Sequence, residues 1–230
     1  MSINMIEKIV VLNVDKRYEE FDRIKNDLIN RYYKGKIERF LVGKGNIRPK
    51  EEYGRIDEER TSDLWHRGAF ANLPNSYHAF KSFQAIISKA LVDGNNNVLI
   101  LEDDAKFTNI DDFTETFNNA IEQIQGTECD LLYLGANHTW AKTKEINKNL
   151  LKLNGSVCWH AVWINKPLFK NILTWTADRP IDLKAAQSLH DEYNCFAVWP
   201  TIITQKPGFS EVEQKYRDYS EFWNNKGMNW

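Results

Sequence analysis

The chain predicts an α/β fold, an open, mostly parallel sheet flanked by helices, with a mixed C-terminal half. Three observations carry that expectation. Through the first 135 residues, apolar runs of strand length alternate with segments whose apolar residues recur at helical spacing. Two of the runs, Ile9-Val10-Val11-Leu12 and Val98-Leu99-Ile100-Leu101, are continuously apolar, as strands covered on both faces are. Beyond Gly135 the alternation loosens and short strand and helix candidates mix.

Taken in order, Lys8 to Val14 reads as a first strand. Tyr18 to Tyr32 reads as a helix with Phe21, Ile24, Leu28 and Ile29 on one face. Lys36 to Val42 is a second strand. Gly43 to Leu64 is polar and aperiodic, long for a connection, and reads as a functional loop or a set of irregular elements. Asn75 to Leu91 is an amphipathic helix with Phe80, Phe83, Ile87, Ala90 and Leu91 in its stripe. Asp93-Gly94-Asn95-Asn96-Asn97 ends it with turn chemistry. The strand Val98 to Leu101 runs straight into Glu102-Asp103-Asp104. Ile110, Phe113, Phe117, Ile121 and Ile124 form a further helical stripe, and Asp130 to Leu134 a strand ending at Gly135. In the second part, Val157 to Ile164 reads as a strand, and Lys166 to Trp175 and Leu183 to Tyr193 as helices. Phe196 to Val198 and Thr201 to Thr204 are short strands around Pro200, and the tail from Gln205 is polar but keeps its aromatics. No repeat or flexible linker interrupts the chain, so residues 1–230 read as one domain.

Composition narrows the function classes. Thirty Lys and Arg against thirty-two Asp and Glu give a net charge of −2, without the basic excess of a general nucleic-acid binder. No apolar run approaches the ~18 residues of a membrane helix. The first apolar run is broken by charge and lacks the core of a signal peptide, so the expectation is a cytoplasmic protein. Cys129, Cys158 and Cys195 are odd in number and far apart, which predicts reduced thiols rather than a disulfide framework or a metal knuckle.

Glu102-Asp103-Asp104 is the most informative segment. In open α/β sheets ligands bind outside the carboxyl ends of the strands. Three adjacent carboxylates there repel one another, and desolvation sharpens the repulsion. A hard divalent cation, Mg²⁺ or Mn²⁺, relieves that cost, most readily when a substrate diphosphate completes its coordination. The plainer alternative is a solvated acidic turn, because Thr108-x-x-Asp111 can cap the next helix without the triplet.

An apolar strand followed by Glu-Asp-Asp resembles glycosyltransferase family 25, which includes lipopolysaccharide-type and procollagen galactosyltransferases. Other segments are similar to that family's pattern in the same order: Val11-Leu12-Asn13-Val14-Asp15-Lys16-Arg17, Ser76-Tyr77-His78, Asp130-Leu131-Leu132-Tyr133-Leu134-Gly135, Pro180-Ile181-Asp182 and Ser210-Glu211-Val212. The chain departs from it at Val14, at Tyr18-Glu19-Glu20 where the family has a second Arg, at the extra Tyr77, and at Glu211-Val212.

The resemblance implies a GT-A-like fold and transfer of a sugar from a nucleotide sugar, with a UDP-linked donor as the expected class, to a glycan or glycoconjugate, with inversion. It implies a nucleotide-sugar half over about residues 1–135 and an acceptor half over about 136–230. It makes Asp104 the principal ligand of Mn²⁺ or Mg²⁺, with Glu102 beside it facing the ribose or a metal-bound water and Asp103 able to exchange roles. Asn13, Asp15 and Arg17, at the end of the first strand, are candidates for base, ribose and phosphate contacts; a helix start with solvated charges is the alternative. His78 is a further donor-contact candidate. Asp182 is the candidate base for the acceptor hydroxyl, with a helix N-cap as its plainer role, and Asp191 is the weaker candidate. His190 or His160 is a candidate additional metal ligand. Trp140 is the candidate sugar platform, and Lys206 to Ser210 a candidate lid whose lysine meets phosphate. Two other classes stand beside this one: a non-catalytic nucleotide-sugar module, and a metal-dependent nuclease built on Asp104-Ala105-Lys106 with Asp93.

Overall fold

A computed structural model of the protein describes residues 3–42, 73–124, 128–139, 141–212 and 215–229. The chain runs through β1 (Ile9–Asn13), α1 (Tyr18–Asn30), β2 (Ile37–Leu41), α2 (Leu73–Val92), β3 (Asn97–Glu102), β4 (Ala105–Phe107), α3 (Ile110–Ile124) and β5 (Leu131–Tyr133). It continues through β6 (Lys142–Asn147), β7 (Leu150–Asn154), β8 (Ala161–Asn165), α4 (Phe169–Leu173), α5 (Ile181–Ser188) and β9 (Cys195–Val198). Short strands β10 (Ile203–Gln205), β11 (Gly208–Ser210), β12 (Lys215–Arg217) and β13 (Met228–Asn229) follow.

Nine strands form one open sheet in the order β13-β6-β7-β9-β5-β8-β3-β1-β2. Only β7 and β8 run against the direction of the others. The expected mostly parallel sheet with a mixed second half is thus the observed one. The two stretches of chain are interleaved in space: β8 lies between β3 and β5, and β9 between β5 and β7.

Side-chain alternation along the strands builds two cores. Ile9, Val11, Leu99 and Leu101 face α1 and α3, through Phe21, Ile24, Leu28, Phe113, Phe117 and Ile121. Val10, Leu12, Val98 and Ile100 face α2, α4 and α5, through Phe80, Phe83, Ile87, Phe169, Ile172 and Ala185. Each such side chain contributes about 2 kcal/mol on burial, so both faces must be covered, as their unbroken apolar runs require.

Several details differ from the sequence expectation. Ile29 is 50% exposed and lies outside the α1 stripe. Asn109, not Thr108, caps α3: its Oδ1 accepts the Asp112 N–H at 2.9 Å. α5 begins two residues earlier than periodicity predicts and ends at Ser188. β6 went unpredicted because Lys-Thr-Lys-Glu-Ile-Asn buries Thr143 alone among its side chains, leaving no apolar alternation to read. The Gly43–Leu64 segment and Trp140 lie outside the described residues.

One glycine is fixed by close approach. A Cβ on Gly135, just past β5, would stand 1.8 Å from the Ile203 carbonyl oxygen and 2.6 Å from His160 Nε2. The Leu-Gly ending of this strand lets β10 cross directly over it. Among the described residues, no helix is long and apolar enough to cross a membrane.

Candidate functional site

The carboxyl ends of β1 and β3 meet because the strands pair in parallel with Leu12 opposite Glu102. The turn after β3 therefore lies over the turn after β1. Asp103 ties them together. Its Oδ2 accepts the Val14 N–H at 2.9 Å and Asn13 Nδ2–H at 3.0 Å, and its Oδ1 accepts from Arg17 Nη1 at 3.2 Å. Asn13 is fully buried, donates also to the Arg17 carbonyl, and accepts from Arg39 Nε at 2.6 Å. The backbone of the acidic turn is held from α1: Arg23 Nη2 donates to the Asp103 and Ala105 carbonyls at 3.2 and 2.8 Å.

Asn13 and Asp103 thus engage their side-chain polar atoms in joining the two strand ends. Their pairing fixes where the neighbouring residues point. Asp104 is held from the opposite side, where Gln205 Nε2 donates to its Oδ2 at 3.0 Å and the Lys206 N–H to its carbonyl at 2.7 Å. Its Oδ1 is buried and has no hydrogen-bond partner among the described residues.

The electrostatics follow from this crowding. Burial, reinforced by the Asp103 charge, pushes the Asp104 carboxyl up to about 7. Burial raises the Glu102 carboxyl well above the usual carboxylate range, and the charges of Asp104, Asp182 and Asp103 add to it. Two desolvated carboxyls two residues apart, one with an oxygen that has no partner among the described residues, form a donor set that a hard cation would satisfy. Among the described residues, no group of three or more His, Cys, Asp and Glu side chains is arranged to hold a metal ion alone. The fit is thus to a cation bound by Glu102 and Asp104, with the remaining positions open to a ligand.

A cleft of about 1150 Å³ opens over these strand ends. It gathers Asp15, Arg17, His78, Glu102, Asp103 and Asp104 in its wall. The segment from Gln205 to Val212, including β11, forms another part of the wall. The cleft is large enough for a drug-sized or nucleotide-sized ligand. Arg17 Nη2 reaches across to the Phe209 carbonyl at 2.7 Å. Lys206, the expected phosphate contact, is paired with Glu20 on α1.

Asp182 lies outside the cleft wall but close enough to Glu102 for its charge to raise that carboxyl. Its Oδ2 accepts the Cys158 N–H at 3.0 Å and its Oδ1 the Leu183 N–H at 2.8 Å. The second bond satisfies a first-turn donor of α5, although Pro180 holds the N-cap position itself. Burial raises the Asp182 carboxyl above its ordinary value. Cys158 points its amide at Asp182 from a left-handed backbone, φ 75°. No motif in the sequence marks Cys158, Gln205, Arg23 or Arg39, because each acts through a tertiary contact.

The remaining candidates fall away from the cleft. Asp191 is exposed and bonded to Asn154. His190 is buried with both ring nitrogens in use: Nδ1 accepts the Gly155 N–H and Nε2 meets the Tyr133 hydroxyl, each at 3.0 Å. It has no nitrogen left for a metal. The Tyr133 hydroxyl also accepts from Trp159 Nε1 at 2.8 Å, closing a buried polar chain. His160 Nε2 bonds the Ile203 carbonyl at 2.8 Å. Asp93 pairs with Lys8 and Lys89 before the amino end of β3, the opposite end from Asp104. At ~3.3 Å per residue that separation excludes a shared nuclease-type site.

No family model matches the chain, and no curated protein matches it in sequence. Solved structures resemble it in chain path. A197 from STIV is 14% identical and covers 93% of this chain and 96% of its own, with a TM-score of 0.46. A mannose-1-phosphate geranyltransferase from Thermus thermophilus is 8% identical over 87% of this chain and 76% of its own, with a TM-score of 0.47. An apo UDP-glucose pyrophosphorylase is 9% identical over 87% and 74%, with a TM-score of 0.44. At scores below 0.5 these are partial likenesses, and the chemistry of the site rests on its own side chains.

Proposed function

We propose that this chain is a cation-dependent glycosyltransferase that moves a hexose from a UDP-linked donor to a hydroxyl of a glycan or glycoconjugate. The observation that carries the reading is the Glu102–Asp104 pair: two desolvated carboxyls, one with a buried oxygen that has no partner among the described residues, in the wall of a nucleotide-sized cleft. The sequence resemblance to glycosyltransferase family 25, with its GT-A-like fold, supplies the donor class.

In this reading Glu102 and Asp104 hold Mn²⁺ or Mg²⁺. The bound cation supplies Lewis-acid stabilisation of the leaving diphosphate. Asp103 and Asn13 keep the two carboxyls in place, and Gln205 fixes the Asp104 rotamer. Asp15 and His78 flank the donor in the cleft wall, and Arg17 presents a guanidinium to phosphate. Asp182, next to Glu102, takes the acceptor proton, and the Cys158 amide orients it.

The test is calorimetric titration with a panel of nucleotide sugars, with and without Mn²⁺, followed by a transfer assay. Binding of one nucleotide sugar that disappears on chelation is the expected result. Binding indifferent to the cation, or none across the panel by a folded protein, overturns the reading. Binding without product formation converts the chain to a donor-binding module.

A further inference from the structure

We propose that Glu211 is an internal anion seated on the phosphate-binding cations of the cleft, and that a diphosphate-bearing ligand displaces it and releases the β11–β12 hairpin. The inference rests on the reading of the cleft as a nucleotide-sugar site.

Glu211 Oε1 lies 2.6 Å from Lys16 Nζ and 3.5 Å from Arg17 Nη2. All three residues line the cleft, beside the carboxyl pair Glu102 and Asp104. Lys16 and Arg17 close the turn after β1, so their positions are set by the sheet. Glu211 comes from the far end of the sequence, on the segment that follows β11. A carboxylate and a phosphoryl group offer the same kind of acceptor to a guanidinium and an ammonium, the phosphoryl group with more charge. The same two cations cannot fully serve both.

The geometry makes the exchange reach the hairpin. β11 is anchored by Arg17 Nη2 on the Phe209 carbonyl at 2.7 Å, and the following turn by Asn75 Nδ2 on the Glu211 carbonyl at 2.6 Å. The Glu211 side chain adds a charged part to this attachment. A diphosphate taking Lys16 and Arg17 leaves the Glu211 carboxylate beside a like charge, and repulsion moves the segment outward. Glu211 thereby lowers the apparent affinity for every anionic ligand of this cleft by the fraction of time it holds the cations.

The experiment compares wild type with Glu211→Gln, using inorganic pyrophosphate and the UDP-sugar panel as titrants, each with Mg²⁺ or Mn²⁺ present. Trypsin cleavage after Lys215 and Arg217 reports on the hairpin. Removing a competing, partly exposed ion pair should tighten pyrophosphate binding about fivefold. Wild type should be cut faster when pyrophosphate is bound, and Glu211→Gln should be cut fast with or without it. Glu211→Asp keeps the charge and should stay near wild type. If Glu211→Gln melts early, Lys16→Met tests the same pair from the other side: it should weaken pyrophosphate binding and speed cleavage of the free protein.

Equal or weaker pyrophosphate binding by folded Glu211→Gln overturns the latch; if a nucleotide sugar still binds with its cation, the transferase reading stands. Tighter pyrophosphate binding by Glu211→Gln, with no nucleotide sugar bound by either protein, keeps the latch and overturns the donor. Binding of neither titrant by either protein overturns both.

Discussion

Asp103 Oδ2 lies 3.0 Å from Asn13 Nδ2, a buried bond between two strand ends ninety residues apart in sequence. One residue further on, Asp104 leaves Oδ1 without a hydrogen-bond partner among the described residues. Adjacent carboxylates have thus been given opposite tasks, one structural and one open to a ligand.

Stability measurements should separate these tasks. Asp103→Asn puts an amide donor where Asn13, Val14 and Arg17 also donate, and is expected to cost about 3 kcal/mol. Asp104→Asn should cost nothing in chelator at pH 7.5 and can stabilise. The sign follows from the Asp104 carboxyl being raised to about 7 in the fold. Its contribution is favourable below its unfolded value, about 3.8, and is lost as pH rises through about 7. The gain from Asp104→Asn should therefore be present at pH 7.5 and gone near pH 4. Thermal melts of both variants at the two pH values check this, and the same Asp104→Asn protein should no longer bind a donor in a cation-dependent way.

The buried histidines set the acid limit. Burial holds His138 and His160 down at about 4 and His190 at about 3. A depressed histidine stabilises fully above its unfolded value, about 6.5, and loses that stability as pH falls toward its folded value. Each contributes a slope of about 1.4 kcal/mol per pH unit within that window. His190 gives the structural reason: the Gly155 N–H already points at Nδ1, where the second proton would have to go. Because the raised carboxyls Glu102, Asp104 and Asp182 act in the opposite sense over the same range, the check is a difference: denaturant melts of wild type and His190→Gln should show the variant losing less stability between pH 6.5 and 4. Equal losses in the two proteins would mean that the His190 ring is open to solvent.

Gly135→Ala should unfold the crossing of β10 over β5. The added methyl would meet a backbone carbonyl at 1.8 Å, and a backbone atom cannot swing aside. An overpacking cost of about 3 kcal/mol is expected, lowering the melting temperature by roughly 10 °C for a chain of this size. An unchanged melt would show that β10 does not lie against Gly135.

The core was legible where burial was two-sided. The runs ending at Leu12 and Leu101, and the stripes of α2 and α3, announce themselves because an apolar period has no other use there. β6 was not legible because it is polar and buries Thr143 alone among its side chains, and β11 and β12 because they are three residues each and paired through backbone bonds that any sequence can make. The acidic turn was legible as a carboxylate cluster at a strand end, but not which of its side chains joins the two turns. Nothing in Glu-Asp-Asp tells which carboxylate the Val14 amide will claim; that depends on the register of β1 against β3. His190 and Asp191 were misplaced for the same reason, their partners Tyr133, Gly155 and Asn154 being distant in sequence.

Asp182→Asn tests the acceptor side of the proposed reaction. Asp182 stands apart from the cleft wall, so donor affinity should stay within about twofold of wild type. The substitution keeps an oxygen for one of the Cys158 and Leu183 amides, and it removes a charge that burial disfavours. The fold should therefore survive. A positioned base contributes about 10²- to 10⁴-fold, so the transfer rate should drop by at least a hundredfold. Calorimetry with the donor and a transfer assay on the same preparation give both numbers. Full transfer would remove Asp182 as the base. Lost donor binding with a normal melt would instead place it with Glu102 on the donor side, where its charge already reaches.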